Sequence, residues 1–195
     1  MRSLLATTLA TVLAGLAACG GSEEPPAEST VAETTAEASG CSPVEEVEVL
    51  SVGQHDNRDF AAADYDTNPP AGGDHNPSPL ESGRFHTDPT PLGEAVHLLE
   101  HGAVIGWTKD LGPDDQAAIE EAFNEVFQEG YFQLATVENP ELEVPFALSA
   151  WGAVQTCESA DPAAVRPFVE EWYASPKSAE SSLACAGTAR RLPPC

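Results

Sequence analysis

In "AVHLLEHGAVIGW", residues 95–107, His97 and His101 stand four positions apart with Glu100 directly before the second. On a helix, side chains at i and i+4 project from one face, so two imidazole nitrogens can reach one cation. The pentad His97-x-x-Glu100-His101 also matches the H-x-x-E-H of inverted zinc peptidases, where the glutamate is a general base. Such an enzyme needs a third protein ligand on a separate element and an open position for water. A blander origin for the pair is a helix end, where one imidazolium is favoured by the helix dipole and the other ring packs.

The other histidines weigh against the bland origin. All five, His55, His75, His86, His97 and His101, fall between positions 55 and 101. His75 lies in "PPAGGDHNPSP", where prolines stiffen the chain and glycines permit unusual backbone, so the loop can present it to the helix pair. Three or four converging imidazoles suit zinc or copper(II). Thioether capture of copper(I) is disfavoured, because the one methionine is Met1, which leaves with an N-terminal signal.

The elements that must position these residues follow from periodicity. A short helix is expected from about Leu92 or Gly93 to His101, stopped by Gly102 and followed by a buried strand, "AVIGW". "GPDDQAAIEEAFNEVFQEG" reads as a helix, with Pro113 at its start and Ile119, Phe123, Val126 and Phe127 at helical spacing. "VEEVEVLSV", "YFQLATV" and "PFALSAWG" read as strands, and "DPAAVRPFVEEWYAS" as a helix capped by Asp161. Between the first strand and the first helix runs a stretch of about 40 residues dense in Gly, Pro, Asp and Asn, which something must pin. Phe60, Tyr65 and Phe85 are candidates for that, as is a ligand. The sum is an α+β fold over residues 41–195: one compact domain with a small mixed sheet, two or three helices and one long Pro/Gly-rich loop.

The chain ahead of that domain is of a different kind. Arg2 and the apolar "LLATTLATVLAGLA" have the form of a signal peptide, and Leu16-Ala17-Ala18-Cys19 looks like a bacterial lipobox. Cys19 would then carry the lipid and residues 1–18 would be removed. Residues 20–40 hold five glutamates and no basic residue, an acidic flexible tether spanning about 25 Å if coil-like. No later segment approaches a spanning length, so the expected location is the extracytoplasmic side of a bacterial membrane, held by lipid alone. Without residues 1–18 the chain keeps seven basic against 32 acidic residues, a formal charge of −25. Such a surface repels phosphate backbones, which argues against nucleic acid as a partner.

Cys41, Cys157, Cys185 and Cys195 remain, an even number that favours two disulfides in an exported chain. Three connectivities are open. Cys157 and Cys185 flank the last helix, which favours joining them and leaves Cys41 to Cys195.

"YDTNPPAGGDHNPSP", "AVHLLEHGAVIGW" and "ALSAWGAVQTC" together resemble an uncharacterised family of secreted or membrane-anchored bacterial proteins, domain of unknown function 3105. The residues that carry the resemblance are Tyr65, Pro69, Pro70, Gly72 or Gly73, His75, Val96, His97, Leu99, Glu100, His101, Gly102, Ala150, Trp151 and Gly152, and it covers about residues 50–175. His55 sits where family members often carry a histidine. His86 falls where tyrosine is more frequent, which removes it from the ligand set. The leading expectation is therefore a lipid-anchored domain that binds copper or zinc through His75, His97, His101 and His55. Glu100 would fix an imidazole tautomer, with Tyr65 and Trp151 beside the site. The alternatives are a metal-free structural or partner-binding module and a metal-dependent hydrolase with Glu100 as base.

Overall fold

Period-two alternation runs through the central strands, and both of their faces are apolar, so each face needs a cover. The computed structural model describes residues 40–49, 53–88 and 90–185. Along them run β1 (Glu45–Glu46), β2 (Arg84–His86), α1 (Leu92–Glu100), β3 (Val104–Thr108), α2 (Pro113–Gln128), β4 (Leu134–Glu138), β5 (Phe146–Ala150), β6 (Ala153–Cys157) and α3 (Val165–Trp172). The strands form one mixed sheet in the order β1-β6-β5-β3-β4-β2. β4 pairs in parallel with both β3 and β2, whereas the β3–β5, β5–β6 and β6–β1 pairs are antiparallel. This is the expected α+β domain.

Val104, Leu134, Phe146, Leu148 and Ala150 point to one face, where α2 contributes Ile119, Phe123 and Val126 and α3 contributes Val165, Phe168 and Val169. Ile105, Trp107, Ala135, Val137 and Ala147 point to the other, where α1 lays down Ala95, Val96, Leu98 and Leu99. A parallel β3–β4 pair requires a long crossover, and α2 is that crossover. Gly106 in β3 lets Phe123 lie on the strand, since a Cβ there would stand 2.6 Å from the ring. The second face is larger than one nine-residue helix can cover. The Pro/Gly-rich loop completes it, with Leu80 buried there and Tyr65 packed against it.

Three differences from the sequence reading follow from local chemistry. The first strand is two residues long, because its alternating glutamates leave Val47 and Val49 only half-buried. β2 and β6 are additional strands. β6 is hidden in the sequence by Trp151-Gly152, a two-residue turn between the paired Ala150 and Ala153, with Gly152 at φ 80°. The third difference is the cystine pairing: Cys41 is bonded to Cys157, not Cys157 to Cys185. The chain before β1 returns beside β6, with Ser42 N–H donating to the Thr156 carbonyl at 2.8 Å and Glu158 N–H to that of Gly40 at 2.9 Å. That sets Cys41 directly opposite Cys157. Cys185 is also disulfide-bonded. The expected signal segment 1–18, the lipidation candidate Cys19, the expected tether up to residue 39 and Cys195 lie outside the described residues. Among the described residues no helix is long and apolar enough to cross a membrane.

Candidate metal centre

α1 presents two histidines and a glutamate in different ways. Its apolar residues face the sheet, and His97 and Glu100, three positions apart, are buried against the loop at 5% and 6% exposure. The helix ends at Glu100, and Gly102 (φ 85°) turns the chain into β3. His101 is therefore the C-cap, with its Nε2 3.2 Å from Glu180 Oε2.

The loop is laced to α1 and to itself. His75 and His55 form an isolated parallel bridge, in which Asp56 N–H donates to the His75 carbonyl at 2.8 Å and His75 N–H to that of Gln54 at 3.0 Å. Asn76 N–H donates to the Gly93 carbonyl (3.2 Å) and Leu80 N–H to that of Glu94 (2.9 Å). The approach at Gly93 leaves no space for a side chain, since a Cβ would stand 2.3 Å from Asn76 Oδ1. Gly152 N–H donates to the Ala71 carbonyl at 2.8 Å, tying the loop to the β5–β6 turn.

These constraints bring one ligand atom each from His55, His75, His97 and Glu100 within 4.8 Å of one another. The ring centroids of His75 and His97 are 4.7 Å apart, and that of His55 lies 5.0 and 4.9 Å from them. Four ligands at zinc-bonding distance in a tetrahedron lie about 3.4 Å apart, so the four need inward movements of roughly an ångström to grip one ion.

The tautomers suit that use. His75 Nδ1 donates to the Gly73 carbonyl at 2.9 Å and His97 Nδ1 to the Asn76 carbonyl at 2.7 Å. A carbonyl only accepts, so each Nδ1 carries a proton, and in the neutral tautomer the lone pair is on Nε2. His75 is fully buried, and its Nε2 stands 3.2 Å from Glu100 Oε2. That pair is not aligned as a hydrogen bond, and among the described residues Nε2 has no hydrogen-bond partner. Burial pushes His97 down to about 4, with His75, His101 and His55 adding to the depression against the Asn76 carbonyl, so its ring is neutral near pH 7.

Of the expected ligands, His55, His75 and His97 meet. The fourth member is Glu100, expected to fix a tautomer or, in a hydrolase, to act as base; the backbone carbonyls of Gly73 and Asn76 hold the tautomers. His101 is not in the group of four, although its ring centroid is 4.7 Å from that of His97. His86 Nε2 donates to the Glu81 carbonyl at 3.0 Å, apart from the cluster. Trp151 packs edge-on to His75 at 6.3 Å. Tyr65 stacks on Phe60, its hydroxyl is buried without a hydrogen-bond partner among the described residues, and burial raises its pKa. Asn76 and Gly53 escaped sequence reasoning, Asn76 because its work is backbone and amide hydrogen bonding. A Cβ on Gly53 (φ 79°) would stand 2.6 Å from His75 Cε1 and 2.9 Å from Glu100 Oε1.

A family model described as "Protein of unknown function (DUF3105)" matches residues 57–187. The chain belongs to that family. No curated protein and no solved structure matches it. The DUF3105 span takes in His75, His97 and Glu100 and begins two residues after His55.

Proposed function

We propose that this is an extracytoplasmic, lipid-anchored domain that binds one divalent transition-metal ion, zinc or copper(II), through His55, His75, His97 and Glu100, for storage, buffering or transfer. The observation that carries the reading is His75 Nε2: buried, without a hydrogen bond, and converging with three further ligand atoms within 4.8 Å. An unpaired polar atom in that position costs about 1–3 kcal/mol, and an ion offsets the loss. Glu100 supplies one negative charge to a cationic guest, and among the described residues neither lysine nor arginine forms an ion pair with it. Imidazole and carboxylate donors without thiolate or thioether suit zinc and copper(II).

Glu100 stands among the ligand atoms, so it is not free to serve as base to a metal-bound water. The other histidine of its pentad, His101, engages Glu180. Neither feature supports the hydrolase. The lipid anchor rests on Leu16-Ala17-Ala18-Cys19 and the acidic segment after it.

Elemental analysis of the purified protein, followed by zinc and copper(II) titration, tests the site. One equivalent is expected for the native chain, and none for His75→Ala with His97→Ala. An unchanged stoichiometry in that double variant would sink the reading. Detergent phase partitioning that is lost in Cys19→Ala tests the anchor.

A further inference from the structure

The four ligands are not equivalent. His75, His97 and Glu100 are buried, whereas His55 is exposed. The buried three hang on the helix and on backbone carbonyls. His55 rides on an exposed strap, residues 54–58, laid across them. Besides the bridge to His75, this strap is fastened by Asn76, whose Nδ2 donates to the Asp56 carbonyl at 3.1 Å and to the Arg58 carbonyl at 2.9 Å. The same residue uses its own carbonyl to hold His97 Nδ1. Its side chain thus controls the strap, and its main chain controls a buried ligand.

Resting on the metal-binding reading, we propose that His55 is the exchangeable ligand: the ion enters and leaves past it, while His75, His97 and Glu100 hold. Asn76 is a positioning residue that latches His55 over the ion. Turning the His55 ring aside exposes the guest to a competing chelator and leaves the His75 and His97 rings held, because their Nδ1 bonds run to Gly73 and Asn76 carbonyls that a side-chain change leaves in place. Such a site surrenders its ion to an acceptor by ligand replacement. It binds divalent cargo for transfer, in contrast to a sealed structural site.

The test uses the full-length protein loaded with zinc(II), with transfer to excess EDTA followed in time. His55→Ala and Asn76→Ala are each expected to retain one equivalent and to release it faster, by about 10–100-fold. His55→Asp, which restores a ligand on the strap, should recover much of the slow release. Release at the native rate in His55→Ala overturns the proposal, as does loss of all bound zinc from a variant whose circular dichroism is native. If Asn76→Ala does not fold, the His55 variants decide alone, since that residue is exposed. A native protein that binds no zinc or copper(II) would instead overturn the metal-binding reading itself.

Discussion

The two faces of the sheet are built by different means. On one, α2 and α3 close over β3, β4 and β5 with interlocked apolar side chains, Phe123, Phe146, Phe168 and Val169 among them. On the other, α1 covers part of the area and an irregular loop covers the rest, held by backbone hydrogen bonds at His75, Asn76, Leu80 and Gly152. The first face gains from area removed from water, which is insensitive to small rotations. The second adds to its own apolar cluster directed bonds that fail when an atom moves by an ångström. A fold that assigns stability to one face leaves the other free to hold polar atoms in unfavourable burial, and the histidine–carboxylate cluster is on that face.

The contrast breaks most simply at Phe123, 2% exposed and packed on Gly106. Phe123→Ala should cost about 3–5 kcal/mol in chemical denaturation and leave the zinc stoichiometry of the folded protein unchanged. If zinc binding were lost first, the faces would be coupled and the division wrong.

Adding a single methyl to each face sharpens the comparison. Gly106→Ala drives a Cβ to 2.6 Å from the Phe123 ring, and Gly53→Ala drives one to 2.6 Å from His75 Cε1. Each overpacking costs about 1–3 kcal/mol, and Gly53 bears the added strain of φ 79°. Melting and zinc titration of both variants should separate: Gly106→Ala loses stability and keeps its zinc affinity, whereas Gly53→Ala loses affinity by the larger factor.

Much of the first face was legible in the sequence because its apolar residues repeat at helical and strand periods. Ile119, Phe123 and Val126 announce α2, and "AVIGW" announces β3. β2 gave no such signal, being three residues, Arg84–His86, whose pairing with β4 is decided by long-range contact. Three of the four residues in the cluster were legible. Histidine is rare enough in this chain for its clustering to be noticed, but i, i+4 spacing favoured His101 over Glu100. The helix stops one residue too early for that, and the C-cap backbone sends the His101 ring toward Glu180. The cystine partner of Cys157 depended on β1 returning beside β6, a contact 116 residues apart that no local pattern encodes.

Acidification probes the second face through His97. The unfolded chain takes up a proton at His97 near the usual 6.5, while the folded ring resists protonation down to about 4. Between these values the unfolded state binds more protons, so stability rises with pH. The contribution from His97 is fully present above 6.5 and is lost as pH falls toward 4. Melting temperatures of the metal-free protein and of His97→Gln, compared from pH 7 to pH 4, should converge on acidification. Parallel curves would mean that His97 is not held neutral by its burial.

The smallest effect is expected where the first face meets solvent. Arg166 on α3 makes a bidentate pair with Glu129 at 2.7 and 2.9 Å and lies near Glu125 and Glu170, bridging α3 to α2. The arrangement has ideal geometry, but the Arg166 side chain is 40% exposed, and water and salt screen it. Arg166→Ala should cost at most about 1 kcal/mol, with much of the difference gone in 1 M salt. Loss of the cation also leaves three carboxylates facing one another in a chain of formal charge −24, which enlarges the effect at low salt. A cost of several kcal/mol that survives high salt would show that ion pairing, and not apolar packing, joins the two helices, and the simple division between the faces would fail on the side where it is clearest.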